Sequence, residues 1–372
     1  MQTGTGPAGR LWQGAGAVLK TLRAGALLVP LALALAGAGA APARALCAGA
    51  DMLAELPAAD RAAIERAAAQ APYAEGLMWR ATRGTAQITL LGTYHFADPR
   101  HDALVAAAAP VLRGARRVLM EASPEDQAAL QAALARDPSL MFTMTGPTLP
   151  ERLSAQDWAR LSAAVEARGI PAILAAKFKP WYVAMTLALS PCAMAEQGAG
   201  AKGLDERLMA AAAEAGVPVA GLEPFDTVFK LFGELSPQDE VDLILASLGM
   251  AERADDYTAT LARAYFAQKI WLIWEFGKFD TLRHSGLSRD RAEAQIAVTQ
   301  DILMDRRNAA WIAPMVAAAE EGPILVAVGA LHLPGPGGVL ARLAAEGFRI
   351  ERLALPVEIG PVEMELPEAE PR

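Results

Sequence analysis

Short apolar segments recur along the chain, and amphipathic helical patterns separate them. The segments that we predict as strands are residues 87–91, 117–121, 170–174, 217–223, 324–328 and 348–353. Strands that are apolar along their length are typical of parallel sheets whose two faces are both covered by helices. The alternation therefore predicts an α/β fold, with a mostly parallel sheet flanked by helices.

The stretch between the predicted strands that end at residue 223 and begin at residue 324 has a mostly helical pattern, and it predicts a helical insertion. Within it, residues 291–319 form one long helical pattern in which Pro314 is expected to kink or end the helix. Aromatic side chains concentrate in the insertion, and their spacing favours core packing over the alternative of a wall or lid. They are Tyr265, Phe266, Trp271, Trp274, Phe276 and Phe279.

Two of the predicted strands run into the same motif. Residues 88–91 (ITLL) are followed by GTYH, which ends at His95, and residues 325–328 (LVAV) are followed by GALH, which ends at His332. In open parallel sheets, ligands bind at the carboxyl ends of the strands, where the chain leaves the core. A glycine lets the backbone turn sharply and approach a ligand closely there. We therefore expect both histidines to lie over one edge of the sheet.

Two further predicted strands end in a carboxylate, Glu121 and Glu223. Two histidines with one or two carboxylates are ligands for a divalent transition metal, and equally a set of general acids and bases. The alternative for each glutamate is to cap the segment that follows. Arg307 precedes the last histidine strand, where it would usually share a solvated face with Arg306 and Asn308. Otherwise it would clamp a substrate carboxylate or polarise a carbonyl.

The remaining histidines and the overall charge point to no other function. His101 and His284 lie in helical or loop contexts and are expected to be solvated. The sequence has no GxSxG elbow, Walker loop, HExxH motif or dinucleotide glycine fingerprint. A net charge of −8 without a basic stripe argues against nucleic-acid binding.

Residues 1–45 have the pattern of a secretory signal peptide. A basic segment precedes an apolar, uncharged run at residues 24–40, and small residues then predict cleavage after Ala45. The run is at the lower limit of the length that spans a bilayer, so an uncleaved membrane anchor is the alternative. We therefore predict a periplasmic or secreted protein that contacts a membrane only through this segment.

Two cysteines remain after the predicted cleavage, Cys47 and Cys192. In an oxidising compartment two cysteines usually form one disulfide. Such a bond would close a loop of about 145 residues. By the chain-entropy estimate it would stabilise the folded state by about 4 to 5 kcal/mol. Two unrelated buried thiols are the alternative, and a redox CxxC motif is absent.

The chain resembles the TraB/GumN family, which is related to the Tiki proteins and more distantly to erythromycin-esterase-type and ChaN-type folds. The stretches that carry the resemblance are LGTYH (91–95), VLME (118–121), GLDE (203–206), VPVAGLE (217–223), RNxxW (307–311) and VGALHLPG (328–335). They fall within residues 76–355, which we predict to be a TraB/GumN-like domain. Residues 46–75 are then an N-terminal helical extension, and the Pro- and Glu-rich residues 356–372 a disordered tail.

The resemblance also implies a site. Tiki-like members are metal-dependent proteases that use manganese or cobalt, so it implies a divalent metal of that kind. It makes His95, His332 and Glu121 metal ligands or water activators. Glu223 and Arg307 would then support those ligands or bind substrate.

The leading hypothesis is an exported, metal-dependent hydrolase that acts on a peptide or a small ester. A bound ion would lower the pKa of a water molecule and stabilise the oxyanion, while a glutamate accepts the proton. Two alternatives stay open at this point. One is a non-catalytic protein that binds metal, haem or a peptide, and the other is a metal-free esterase that uses histidine and glutamate as acid and base.

Overall fold

The computed structural model describes Cys47 and residues 49–355. The predicted signal peptide, residues 1–45, and the predicted tail, residues 356–372, lie outside the described residues. No helix within residues 49–355 is both long enough and apolar enough to cross a membrane.

The described strands form one mixed sheet. They are β1 (Met78–Arg83), β2 (Ala86–Thr93), β3 (Arg117–Met120), β4 (Val219–Gly221), β5 (Ile324–Gly329) and β6 (Arg349–Arg352). Their order across the sheet is β4-β3-β5-β2-β1-β6. In this order the neighbours from β4 to β2 are parallel, whereas β1 is antiparallel to both β2 and β6. The sheet is thus mostly parallel and flanked by helices, which confirms the predicted α/β fold.

Helices account for most of the remaining described chain. The α-helices are α1 (Met52–Glu55), α2 (Ala58–Ala69), α3 (His101–Gly114), α4 (Pro124–Arg136), α5 (Leu149–Arg152), α6 (Ala155–Glu166), α7 (Ala172–Ala175), α8 (Pro180–Leu187), α9 (Pro191–Gly198), α10 (Leu204–Glu214), α11 (Thr227–Phe232), α12 (Pro237–Ala251), α13 (Ala254–Phe266), α14 (Ile270–His284), α15 (Arg289–Gln300), α16 (Arg306–Glu320) and α17 (Val339–Ala345). Short 3-10 helices cover Pro138–Leu140 and Ala330–His332, and a π-helical turn covers Asp301–Asp305.

The strand prediction for residues 170–174 is wrong. This segment leads into the short helix α7, which begins directly after Pro171. Ile173 and Leu174 are both exposed on that helix, so the apolar run is not buried as a sheet strand would be. A short apolar run does not distinguish a strand from a helix by its periodicity alone. The strand predicted at residues 217–223 is also shorter than expected, since only β4 is formed there.

Of the two outcomes predicted for Pro314, a kink or a helix end, the helix end is wrong. The chain is helical without a break from α15 through the π-helical turn to the end of α16, and Pro314 lies inside α16. A proline inside a helix costs about 3 kcal/mol, because one backbone hydrogen bond is lost. Burial of Trp311, Ile312 and Met315 on either side offsets this cost.

Both faces of the sheet are buried. Leu90 and Val326 pack on one face with side chains from α16 and α17, whereas Leu91 and Ala327 pack on the other with side chains from α3, α10 and α13. Neighbouring residues of a strand point to opposite faces, so each central strand contributes to both cores. Polar groups can therefore gather only where the strands end, and the strand ends position the site.

The helical insertion between β4 and β5 is present and consists of α11–α16. Its aromatic side chains Tyr265, Phe266, Trp271 and Phe276 are buried in the hydrophobic cores, which confirms core packing over a lid. A second helical region, α4–α10, lies between β3 and β4. Part of the site comes from that region, because α10 carries Asp205.

The N-terminal strap, defined as Cys47 with residues 49–56, is fastened to the domain. Cys47 forms a disulfide with Cys192 of α9, with 5.6 Å between the two Cα atoms, so the predicted bond is confirmed. The backbone N–H groups of Ala50 and Met52 donate to side chains of α13, those of Asp256 and Thr260. A disulfide in the folded chain indicates an oxidising, periplasmic or extracellular compartment.

His101 is fully buried, so the prediction that it is solvated is wrong. Its ring packs near Tyr94 and Phe266, and neither ring nitrogen has a hydrogen-bond partner within the described residues. Burial lowers the pKa of His101 from 6.5 to about 4, with Asp98 opposing the shift. The local sequence did not reveal this because the burial comes from α13. His284 is half exposed, as expected.

Acid is expected to destabilise the fold through His101. Between pH 6.5 and about 4 the unfolded chain binds a proton at this ring that the folded chain does not, so stability falls as the pH falls. The full loss is on the order of 3 kcal/mol. Urea unfolding at pH 7, 6, 5 and 4.5 measures it. His101→Phe should remove this part of the pH dependence, and the matched variant His284→Gln should retain it; an unchanged slope in His101→Phe contradicts the assignment.

Candidate functional site at the strand ends

The carboxyl ends of the four parallel strands meet at one edge of the sheet. Thr93 of β2 pairs with Gly329 of β5, and Met120 of β3 pairs with Ala327 of β5. One predicted site residue follows each strand end. Across the edge these residues are Glu223 after β4, Glu121 after β3, His332 after β5 and His95 after β2.

Arg307 joins the two glutamates. Its Nε lies 3.0 Å from each carboxylate oxygen of Glu223, and its Nη2 donates to Glu223 Oε1 at 2.6 Å and to Glu121 Oε2 at 2.7 Å. The side chain is only 9% exposed. It is the second residue of α16, which follows the π-helical turn Asp301–Asp305, and such turns are frequent at functional sites. The arginine thus compensates two buried carboxylates at once.

Glu121 lies in the middle of the site as an ionised carboxylate. Its Oε1 accepts a hydrogen bond from the backbone N–H of Gly329 at 2.8 Å and lies 3.8 Å from His332 Nε2. Burial by itself would raise the pKa of Glu121. In acid, where both rings are protonated, the charges of His332 and His95 act with Arg307 and the Gly329 N–H, outweigh burial and hold that pKa well below its usual range. The group is therefore a hydrogen-bond and proton acceptor at neutral pH.

His332 is a neutral ring of defined tautomer. Its Nδ1 lies 2.7 Å from Asn308 Oδ1, while Asn308 Nδ2 donates to the carbonyl of Gly337 at 3.0 Å. Because the amide nitrogen is used by Gly337, the amide oxygen faces the ring, and Nδ1 must carry the proton. Burial, reinforced by Arg307 and His95, lowers the pKa of His332 to about 4 despite Glu121. Nε2 therefore carries a lone pair, and Arg307 Nη1 lies 3.4 Å from it.

His95 is held by a carboxylate. Its Nδ1 lies 2.7 Å from Asp205 Oδ2, and Asp205 Oδ1 accepts a hydrogen bond from Thr93 Oγ1 at 2.6 Å. Asp205 raises the pKa of His95 to about 9, although burial opposes the shift. The side chain remains 60% exposed, so His95 forms the solvent-facing wall of the site. A Cβ on Gly203 would overlap the His95 carbonyl, so a glycine is needed for α10 to approach this closely.

The space over Gly329 is where these groups converge. A Cβ placed on Gly329 would lie 3.2 Å from Glu121 Oε1, 3.2 Å from His95 Nε2 and 3.5 Å from His332 Cδ2. The backbone of Gly329 has φ −48° and ψ 132°, a conformation open to other residues. The absent side chain therefore matters for the room it leaves rather than for backbone freedom.

The donors around this space match a divalent transition metal in chemical type. His95 borders this space with Nε2 and His332 with Cδ2, while His332 Nε2 lies 3.4 Å from Arg307 Nη1. In both rings Nδ1 is held by a hydrogen-bond acceptor, the usual arrangement of metal-bound histidine. The donor atoms of His95, His332 and Glu121 are not all within 4.8 Å of one another, so bonds of about 2.1 Å require them to move inward. Among the described residues, the one cluster as tight as 4.8 Å contains the two disulfide-bonded cysteines.

All five residues singled out from the sequence lie at this edge of the sheet, with Glu223 behind Arg307. Two further residues were not given a role from the sequence, Asp205 and Asn308, although both lie in the stretches GLDE and RNxxW. Asn308 and Arg307 are buried, so the expected solvated face is wrong for both; Arg306 beside them is partly exposed. Trp311 was also missed; its Nε1 donates to Glu223 Oε2 at 3.0 Å.

The family model of the TraB/PrgY/gumN family matches residues 77–352, most of the chain and all of the site. The chain belongs to the TraB/PrgY/gumN family. No curated protein and no solved structure matches it significantly. The TraB/PrgY/gumN match begins at the residue before β1 and ends with β6, so it covers the whole described sheet. Both GxxH motifs of this member lie inside the match.

Proposed function

We propose that this protein is a metal-assisted hydrolase that cleaves a peptide or small ester outside the cytoplasm. The observation that carries the proposal is the convergence of His95 Nε2, Glu121 Oε1 and the His332 ring on the space over Gly329. The site has an ionised carboxylate and two oriented imidazoles but no serine or cysteine nucleophile among the residues described above. Water is therefore the expected nucleophile.

His95, His332 and Glu121 would hold the metal, with manganese or cobalt suggested by the resemblance to Tiki-like proteases. A bound ion of this kind lowers the pKa of water and stabilises an oxyanion. Glu121 stays ionised at neutral pH and would accept the proton of the attacking water, whose pKa a bound ion would lower. Arg307 holds Glu121 in place and leaves Oε1 facing the space over Gly329.

A metal-free hydrolase is the second candidate, and one observation favours it. The environments of the two histidines move their pKa values apart, to about 9 for His95 and about 4 for His332. Such divergence is typical of an acid and base pair. In this mechanism His95 donates a proton to the leaving group, while His332 or Glu121 accepts one from water.

Metal content separates the two candidates. Mature protein, residues 46–372, and the double variant His95→Ala with His332→Ala are analysed by plasma mass spectrometry after reconstitution with manganese, cobalt, zinc or iron. The proposal expects near-stoichiometric metal in the wild-type protein, none in the variant, and peptide or ester hydrolysis that EDTA abolishes. Hydrolysis that survives EDTA supports the metal-free candidate. Bound metal without hydrolysis across a broad peptide and ester panel supports a binding protein instead.

Gly329→Ala is expected to block the site without unfolding the protein. Its methyl group would occupy the space between Glu121 and His95, at 3.2 Å from each, so it displaces whatever binds there. Displacing the reacting groups by about 1 Å typically lowers the rate on the order of 100-fold. Metal affinity should fall as well. The free energy of unfolding, measured with urea, should change by no more than about 1 kcal/mol. Gly114→Ala, with open space around it, is the matched control. Full metal binding by Gly329→Ala would contradict the proposed site.

A further inference from the structure

Each histidine of the site is held at Nδ1 by a residue that also makes a second hydrogen bond. Asp205 accepts from the Thr93 hydroxyl as well as from His95. Asn308 donates to the Gly337 carbonyl as well as accepting from His332. These two residues, called the supports below, differ in type. The carboxylate of Asp205 accepts two hydrogen bonds, whereas the amide of Asn308 accepts one and donates one.

We propose that Asp205 and Asn308 are positioning residues: each accepts the Nδ1–H of its histidine and orients the ring so that Nε2 is the nitrogen left for a metal or a substrate. We also infer that their side-chain types are not interchangeable. The test by metal affinity rests on the proposed function, whereas the test by the protonation of the histidine nitrogens does not.

The carboxylate is required at position 205 by its two donors. Thr93 is buried and offers a hydroxyl proton to Oδ1, while the His95 ring offers Nδ1–H to Oδ2. An asparagine there has only one acceptor oxygen, and its amide N–H would face either the hydroxyl or the ring nitrogen. If it faces the ring, Nδ1 of His95 has to lose its proton to accept from the amide, and the proton that stays on Nε2 leaves that nitrogen without a lone pair for a metal.

The amide is required at position 308 by the carbonyl opposite. The Gly337 oxygen accepts from Asn308 Nδ2 at 3.0 Å and from Arg342 Nε at 2.9 Å, so its place is defined from two directions. That carbonyl can only accept, and it therefore selects the amide nitrogen and leaves the amide oxygen for His332. An aspartate would set a carboxylate oxygen against this carbonyl while still accepting from Nδ1.

Further hydrogen bonds connect each support to the segment that carries its histidine or its helix. Leu204 N–H, one residue before Asp205, donates to the Tyr94 carbonyl at 3.0 Å, one residue before His95. On the other side, Arg342 also donates to the carbonyl of Asp305 at 3.2 Å, which joins the loop at Gly337 to the start of α16. The supports therefore move with the histidines that they orient.

The tautomer of His332 is the direct test, because it does not depend on metal or on turnover. The chain has only 4 histidines, so the ring nitrogens of protein labelled with ¹⁵N-histidine can be assigned by comparison with His332→Ala. At pH 7 the metal-free wild-type protein should show His332 protonated at Nδ1 alone. Asn308→Leu should give a mixture of tautomers, and Asn308→Asp should restore protonation at Nδ1. A wild-type His332 that is protonated at Nε2 instead overturns the inference.

Metal affinity tests the same inference at His95. Loss of a residue that orients a metal-bound histidine typically weakens binding 10- to 100-fold. We expect Asp205→Asn and Asn308→Leu to weaken cobalt binding by that factor, measured by titration of the visible cobalt spectrum. Glu206→Gln, the exposed neighbour of Asp205 on α10, is the matched control and should bind as the wild type does.

The two readouts separate the possible failures. A wild-type protein that binds no metal but shows the expected His332 tautomer contradicts the proposed function and leaves the positioning role supported. Unchanged tautomer and unchanged affinity in Asn308→Leu contradict the positioning role, whatever the activity of the protein.

Discussion

Replacing Arg307 with methionine is expected to lower the free energy of unfolding by about 3 to 5 kcal/mol, the usual cost of removing one partner from a buried ion pair. Arg307 is only 9% exposed and compensates Glu121 and Glu223, whose side chains are 20% and 11% exposed. Methionine retains much of the apolar volume but leaves both carboxylates without their cation. The urea midpoint and slope measure the loss.

Arg306→Met is the matched control for this effect. Arg306 precedes Arg307 on α16 and forms ion pairs with Asp301 and Glu234, but these partners are largely exposed. Exposed pairs contribute about 0 to 1 kcal/mol, so the control should cost little. Adding Glu121→Gln and Glu223→Gln to Arg307→Met should recover part of the loss, because no buried charge then lacks a partner. Equal destabilisation by Arg306→Met and Arg307→Met would contradict the role assigned to Arg307.

Loss of the disulfide is the second large effect. Cys47 and Cys192 close a loop with a sequence separation of 145, so the bond restricts the unfolded chain strongly. The chain-entropy estimate is about 4 to 5 kcal/mol, and measured effects commonly fall between 2 and 5 kcal/mol. The double variant Cys47→Ala with Cys192→Ala should therefore unfold at a clearly lower urea concentration than the oxidised wild-type protein.

Reduction provides the control for the disulfide. Dithiothreitol should lower the urea midpoint of the wild-type protein to that of the double variant and leave the variant unchanged. The strap has further hydrogen bonds to Asp256 and Thr260, so the native domain should persist in the reduced protein. If dithiothreitol left the wild-type midpoint unchanged, the bond would not contribute to stability.

Local patterns in the sequence were enough to predict the class of the fold and the place of the site. Strand β5, the GxxH motifs and Glu121 could be predicted because each depends on a local pattern, an apolar run and the residue where it ends. Strand β1 was missed, since its sequence MWRATR mixes apolar and charged residues. Residues 170–174 were misassigned, since a short apolar run without a partner does not reveal whether a sheet covers it.

The hydrogen bonds and charges of the site residues depend on contacts between elements that are distant in the sequence. Asp205 and His95 are 110 residues apart, and Arg307 and Glu121 are 186 apart, so no local pattern records their contacts. The same holds for His101, whose burial depends on the distant helix α13. A pKa or a tautomer depends on the groups packed around a side chain. The sequence could therefore name His95 and His332 as site residues. Their neighbours come from the packing of α10 and α16 against the strand ends, which places a carboxylate beside His95 and an amide beside His332.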